Sequence, residues 1–282
     1  MRTLGDILLL SSRFLGRRGV TPSRLDAEVL VGHALGLPRL QVYLQHERLL
    51  AEPELAAIRA LLRRRAAREP VAHIVGNKEF YGISFRVRPR LMVPRPDTET
   101  LVDRSLDEIP IDRSDPLYVA DVGCGTGCVG LVLARKRSCV RLYAVDLSPE
   151  ALACTHDNAR DLGVKDRVAL IRGDGLDAIP EDRPVDLVVS NPPYIPTRTI
   201  GTLEPEVSLW EDRRALDGGP DGLDVIRRVL ARSSVRARSG ALVEIGHDQG
   251  PSALGIARDA GFSEIRLHAD MAGRDRVLQA RR

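Results

Sequence analysis

The chain has 282 residues, of which 43% are hydrophobic, so it is long enough for one large domain with a sizeable core and a smaller second domain. Its formal net charge of +3 is low for a protein that binds a nucleic-acid groove, and its four cysteines lack the paired spacing of a disulfide-rich protein or a zinc site. No stretch approaches the length of a membrane span, and we expect a cytoplasmic protein with reduced thiols and no metal.

Residues 1 to about 75 are predicted to form a small helical domain. Apolar residues recur at helical spacing between Leu4 and Leu15, and Thr21-Pro22 is typical of an N-cap followed by the first residue of a helix. Gly36 ends that helix, and a further helix begins near Pro53. The arginine-rich face of this last helix is typical of a solvated surface, and docking of an acidic or ribonucleoprotein partner is the alternative.

A change to period-two alternation after Pro70 predicts a β-hairpin that links the helical domain to the rest of the chain. Phe80 and Ile83 flank Tyr81-Gly82, so the turn is expected there. We therefore divide the chain into a helical domain over 1–75, a hairpin and loop over 76–96, and a large domain over 97–282.

The loop that follows the hairpin has the sequence VPRPDTE, residues 93–99. It is too rich in proline for regular structure. Asp97 or Thr98 can cap a helix that runs from there to about Leu106.

After Pro116 the pattern alternates between strand and helix. Strands are predicted over 117–121, 140–146, 168–171, 185–189 and 241–245, and helices over 127–135 and 149–162, the second capped by Ser148. This alternation is typical of an α/β fold with a doubly wound, mostly parallel sheet, whose ligands bind at the carboxyl ends of the strands.

The first motif at such an end is DVGCGTG, from Asp121 to Gly127. Its glycines let the backbone turn tightly and approach a ligand before the next helix begins. Gly125, Gly127 and Gly130 also match the dinucleotide spacing G-x-G-x-x-G, and Asp146 follows about 20 residues later to bind ribose hydroxyls. The loop alone therefore does not separate a nicotinamide enzyme from a methyltransferase.

Two further motifs follow later strands. Asp174 ends the third strand in the sequence RGDG and could accept a hydrogen bond from an adenine amino group, although a simple turn role is nearly as plausible. The apolar strand 185–189 stops abruptly at Asn191-Pro192-Pro193-Tyr194. The Asn191 side-chain oxygen and the Pro192 carbonyl can each accept one hydrogen of a planar NH₂ group, and the Tyr194 ring can cover its flat face.

These motifs, in this order, resemble those of class I S-adenosylmethionine-dependent methyltransferases that act on planar amino groups. The resemblance becomes specific with further segments across the chain: REPVAHIVGNKEFYGISFRV, VPRPDTE, LEPEV, ALDGGPDGLDVI, LVEIGHDQG and AGRDRV. Together they look like the HemK-type protein-(glutamine-N5) methyltransferases, which modify peptide chain release factors. The resemblance implies S-adenosyl-L-methionine as cofactor and a release factor as protein substrate. It also implies a monomer without direct nucleic-acid contact, in which residues 1–75 dock the substrate.

The resemblance also assigns roles to individual residues. The methionine part of the cofactor would lie against Gly123, Cys124, Gly125, Thr126 and Gly127, its ribose against Asp146, and its adenine beside Asp174 and Gly175. The substrate glutamine would be held by Asn191, Pro192, Pro193 and Tyr194, with Asn191 also close to the cofactor. Two residues depart from the family pattern: Cys124 stands where threonine is common, and Gly175 stands where some members have an aromatic ring. Unless Leu176 substitutes for that ring, we expect weaker cofactor binding.

Three other functions remain open from the sequence. An adenine-N6 nucleic-acid methyltransferase would need the same acceptors for a planar amine, but the chain offers no candidate target-recognition domain. A glutamine in a ribosomal protein is an alternative substrate. A methyltransferase-like subunit that only docks on ribosomes would not need an intact Asn191-Pro192-Pro193-Tyr194 motif.

Overall fold

The computed structural model describes residues 2–282, which form two compact units. The first comprises the N-terminal part of the chain as far as Gly76, together with Glu204–Trp210. The second comprises Asn77–Leu203 and Glu211–Arg282. The sequence-based division left residues 204–210 within the large domain, whereas the structure groups them with the helices.

The regular elements follow one another along the chain. The helices are α1 (Leu4–Gly16), α2 (Ser23–Leu35), α3 (Arg39–Leu44), α4 (Glu52–Ala66), α5 (Val71–Val75), α6 (Glu99–Asp107), α7 (Cys128–Lys136), α8 (Pro149–Asp161), α9 (Pro205–Ser208), α10 (Asp224–Arg236) and α11 (Gly250–Asp259). The strands are β1 (Asn77–Phe80), β2 (Ile83–Arg86), β3 (Leu117–Val122), β4 (Val140–Asp146), β5 (Val168–Arg172), β6 (Val185–Ser190), β7 (Ala237–Glu244), β8 (Glu264–Ala269) and β9 (Asp275–Arg281). None of the helices within residues 2–282 combines the length and the apolar character that crossing a membrane requires.

The helical unit is built around a core from α1, α2 and α4 that includes Leu15, Leu30 and Ile58. The prediction of its second helix was wrong by one residue. Pro22 has the extended conformation of an N-cap (φ −83°, ψ 109°), so the helix begins at Ser23. Thr21 therefore lies outside the helix, although Gly36 ends it in the left-handed conformation as expected.

Two arginines of the helical unit bind the segment Glu204–Trp210. Arg65 is only 4% exposed, and its guanidinium donates to Asp26 at 2.6 Å and to Glu206 at 2.7 Å. Arg68 donates to the same Glu206 carboxylate at 2.6 Å. Because a buried guanidinium needs carboxylate partners, these ion pairs explain why an acidic segment from the second half of the chain packs with the helices.

The second unit begins with the predicted hairpin, which is confirmed. Strands β1 and β2 pair antiparallel, and Tyr81 and Gly82 form the turn with φ of 53° and 69°. The Tyr81 backbone N–H donates to the Glu99 carboxylate at 2.7 Å, which compensates for the unusual backbone conformation of a tyrosine.

The main sheet has seven strands in the order β5-β4-β3-β6-β7-β9-β8. Neighbours from β5 to β7 pair parallel, and only β9 runs antiparallel to its neighbours β7 and β8. The doubly wound, mostly parallel sheet is thus confirmed. Helices α6, α7 and α8 contribute to the hydrophobic cluster on one face, and α10 and α11 to the cluster on the other. The carboxyl ends of the central strands therefore open at one edge of the sheet.

Candidate active site

A cavity of about 400 Å³ lies at that edge of the sheet. It brings together most of the residues predicted from the sequence: Gly123, Cys124, Gly125, Thr126, Asp146, Asp174, Gly175, Asn191, Pro192 and Pro193. These residues follow four different strands, β3 to β6, whose carboxyl ends meet because the strands are parallel. Gly127 and Tyr194 do not contribute to the lining.

The glycine loop after β3 is held by Asp146 at the end of β4. One Asp146 carboxylate oxygen accepts the Gly125 N–H at 2.9 Å, and the other accepts the Ser148 N–H at 2.9 Å. Burial raises the pKa of Asp146 above its usual value. Asp146 therefore connects the glycine loop to the start of α8. The Ser148 side chain caps that helix, as predicted.

Gly127 is required by the backbone conformation and does not line the cavity. It precedes α7 with φ 79°, and a Cβ atom there would lie 2.8 Å from both Leu131 and Thr155. Any larger residue would push α7 away from the loop.

Asp121, at the end of β3, is a second buried carboxylate at the cavity. It is 2% exposed and accepts the Gly130 N–H at 2.9 Å. Burial raises the pKa of Asp121 to about 7, against the opposing effect of that hydrogen bond.

The residues expected near adenine lie at the exposed end of the cavity. The Asp174 carboxylate accepts from Arg228 at 2.8 Å, and Gly175 adopts φ 61° at the start of a 3₁₀ turn. Leu176 is only 2% exposed and belongs to a core cluster beneath the sheet. The suggestion that Leu176 replaces a stacking ring was therefore wrong, because its side chain is committed to the core.

The segment after β6 is fixed at several points. The Ser190 hydroxyl donates to the Val122 carbonyl at 2.7 Å. The Asn191 side-chain NH₂ donates to the Thr98 hydroxyl at 3.1 Å, which leaves its carbonyl oxygen free of that bond. Pro192 is buried, and prolines donate no N–H, so this segment offers acceptors to the cavity.

Tyr194 is placed differently from the sequence-based expectation. Its hydroxyl donates to Glu244 at 3.2 Å, and its ring packs against the hydrophobic cluster that contains α10 and α11. Burial, followed by the nearby Glu244 carboxylate, raises the pKa of Tyr194 far above its usual value. In this structure the ring does not line the cavity and so does not cover the face of a guest there.

Sequence reasoning missed Glu244 as a functional candidate. This residue ends β7, is 1% exposed, and has its pKa raised to about 7 by burial despite the opposing effects of Thr98, Arg276 and Tyr194. A carboxylate directly after the apolar run of β7 was a usable signal, since strand ends carry the other site residues.

Glu211 is a second missed carboxylate, and it holds the proline-rich loop in place. It is 4% exposed, accepts the Val93 N–H at 3.3 Å, and forms an ion pair with Arg95. This contact fixes the loop that carries Thr98 into the site.

The glycine-rich segment ALDGGPDG packs against the backbone of the Asn-Pro-Pro-Tyr motif. A Cβ atom on Gly222 would lie 2.4 Å from the Tyr194 carbonyl oxygen. Gln249 donates to that same oxygen at 2.9 Å and to the Gly222 carbonyl at 3.2 Å. Among residues 2–282, no three His, Cys, Asp or Glu side chains are grouped to hold a metal ion.

Comparison with known proteins identifies the class. The family model described as the methyltransferase small domain matches residues 106–203. The crystal structure of the hMettl16 catalytic domain in complex with a 3'UTR hairpin has a TM-score of 0.59 over 78% of this chain and 81% of that chain. At 13% sequence identity, that likeness shows the fold alone. The fold and the site thus define a methyltransferase with a Rossmann-like sheet.

Further matches identify the family. The family model described as the PrmC N-terminal domain matches residues 6–76. Proteins named release factor glutamine methyltransferase are 38% identical in Geobacter sulfurreducens, over 99% of this chain and 96% of the relative, and 39% identical in Caulobacter vibrioides, over 92% and 90%. The chain therefore belongs to the release factor glutamine methyltransferase family.

Proposed function

We propose that this protein transfers a methyl group from S-adenosylmethionine to the side-chain amide nitrogen, N5, of a glutamine in a peptide chain release factor. One observation carries the proposal: a single cavity joins the glycine loop and Asp146 to the acceptors of Asn191 and Pro192. Membership of the family supports the same substrate.

The residues at the cavity fit the cofactor. Within residues 2–282, no heavy atom outside the adjacent residues lies within 4 Å of the Cβ positions of Gly123, Gly125 and Gly175, so these glycines leave open space that a ligand can fill. Gly123 to Thr126 would hold the methionine part, Asp146 the ribose, and Asp174 with Gly175 the adenine. When bound, S-adenosylmethionine supplies a methyl group on a positively charged sulfur.

The protein's own groups act on the substrate amide. A carboxamide nitrogen is a poor nucleophile because its lone pair is delocalised into the carbonyl. Accepting one N–H hydrogen at the Asn191 oxygen and the other at the Pro192 carbonyl favours a more tetrahedral nitrogen and fixes its direction of approach. Because the nitrogen becomes acidic only as its new bond forms, the site needs no strong base beforehand.

Methylation of a purified release factor tests this function directly. The enzyme is incubated with labelled S-adenosylmethionine and the release factor, and with single- and double-stranded DNA, RNA and ribosomal proteins in parallel. We expect label on one glutamine of the release factor and none on adenine. Label on adenine, or on a ribosomal-protein glutamine, with none on the release factor would replace the proposed function by one of those alternatives.

Asp146→Ala is expected to weaken cofactor binding by about 1–3 kcal/mol, since hydrogen bonds to the ribose are lost. The same change releases the Gly125 N–H, which loosens the loop in the same direction. Calorimetric titration measures the affinity, and a thermal melt shows whether the variant remains folded. An unchanged affinity would remove Asp146 from the cofactor site.

We also propose that the helical unit docks the release factor. On α3, Leu40 and Leu44 lie one turn apart and are 67% and 66% exposed, which is unusual for leucine and suits a protein partner. Replacing both with aspartate should reduce kcat/KM on the intact release factor about 10-fold or more and leave a short glutamine peptide unaffected. These point variants are preferable to truncation, because Glu204–Trp210 packs with the helices.

Ile111, which is 76% exposed in the second unit, provides the matched control. Ile111→Asp should leave methylation of both substrates unchanged. If the leucine double variant modifies the intact release factor as fast as the unmodified enzyme does, the helical unit does not dock through α3.

A further inference from the structure

The contact between Thr98 and Asn191 connects two parts of the site that are far apart in the sequence. The Asn191 NH₂ group donates to the Thr98 hydroxyl at 3.1 Å, across 93 residues of chain. Thr98 is 1% exposed and lies between a 3₁₀ turn, Pro96–Thr98, and α6. A buried hydroxyl in this place needs a reason, because alanine or valine would avoid the cost of burying a polar group.

Capping of α6 does not supply that reason. Thr98 occupies the N-cap position, but its side chain makes no capping hydrogen bond. The turn itself is closed by a backbone bond from the Thr98 N–H to the Arg95 carbonyl at 3.2 Å. The Thr98 hydroxyl is therefore free to accept the hydrogen bond from Asn191.

We propose that Thr98 is a positioning residue that fixes the orientation of the Asn191 amide. With Thr98 acting as acceptor, Asn191 must direct its NH₂ group at Thr98, and its carbonyl oxygen is left for the substrate. The opposite orientation would place the Asn191 NH₂ group against the substrate NH₂, which is a repulsive contact. The orientation in which Asn191 donates to Thr98 therefore selects a guest that donates hydrogens. This inference rests on the proposed function.

Thr98→Val tests the proposal, because valine has nearly the same shape but no hydroxyl. We expect kcat on the release factor to fall about 10- to 100-fold, while KM and cofactor affinity change less than about twofold. Thr98→Ser, which restores the hydroxyl, should recover kcat to within a few-fold of the unmodified enzyme. Ser105→Ala is the matched control, since the Ser105 hydroxyl is buried in α6 and donates to the Leu101 carbonyl within that helix.

A double-mutant cycle with Asn191→Ala separates positioning from general destabilisation. Once Asn191 is removed, Thr98→Val should cause no further loss of kcat. The proposal is overturned if Thr98→Val retains kcat, if Thr98→Ser is as slow as Thr98→Val, or if the two losses multiply independently. The unmodified enzyme is assayed alongside, and absence of glutamine methylation there would count against the proposed function instead.

Discussion

Asn191→Asp is expected to keep or raise cofactor affinity and to reduce turnover on a glutamine substrate by about 10²-fold or more. The substitution keeps the size of the side chain but places a negative charge at the cavity. That charge attracts a cationic cofactor in the ground state, and the attraction is lost as the positive charge disappears during transfer. Stabilisation of the bound reactants without equal stabilisation of the transition state slows the reaction.

The structure adds a second reason for this loss. Asn191 now donates to Thr98, and an aspartate has no hydrogen to donate there. Calorimetric titration gives the affinity, and single-turnover assays give the rate of transfer. Asn191→Ala, which removes the acceptor without adding charge, should slow transfer without raising affinity. Turnover of the aspartate variant at the normal rate would exclude Asn191 as the acceptor for the substrate amide.

Gly222→Ala is the other substitution with a large expected effect. The added Cβ would lie 2.4 Å from the Tyr194 carbonyl oxygen and 2.8 Å from the Gln249 amide nitrogen. Gly222 also has φ 78°, which alanine adopts only with strain. Since the Tyr194 oxygen belongs to the Asn-Pro-Pro-Tyr backbone and cannot move without shifting it, we expect the free energy of unfolding to fall by about 2–4 kcal/mol. Turnover should fall about 10²-fold, as a displacement of about 1 Å at a reacting group can cause.

Gly255 offers a matched control for this prediction. It lies in α11 with open space where a Cβ would be, so Gly255→Ala should leave turnover unchanged and stabilise the fold by up to about 1 kcal/mol. Chemical denaturation and steady-state kinetics are measured on both variants. If Gly222→Ala is as stable and as active as Gly255→Ala, the contact between the glycine-rich segment and the Tyr194 carbonyl does not hold the site.

Local sequence signals were sufficient for the parts of the site that depend on strand ends. Both ends of β4, Val140 and Asp146, were predicted correctly. Asp146 was chosen as a site residue because it is the last residue of that strand. The glycine loop and Asn191-Pro192-Pro193 were located in the same way. Parallel strands bring their carboxyl ends to one edge of the sheet, so three separate local patterns meet at one cavity. Their convergence can be predicted without knowing any side-chain contact.

Only the tertiary structure showed which residues contact and position those that line the cavity. Thr98 reaches Asn191 across 93 residues, and Tyr194 reaches Glu244 across 50, so neither pairing has a local signal. Strands β8 and β9 were missed, and with them the antiparallel edge beside β7, the strand that ends in Glu244. Glu204–Trp210 likewise packs with helices that precede it by more than a hundred residues. These contacts depend on strand order and on which buried charges find partners, and both are consequences of the whole fold rather than of neighbouring residues.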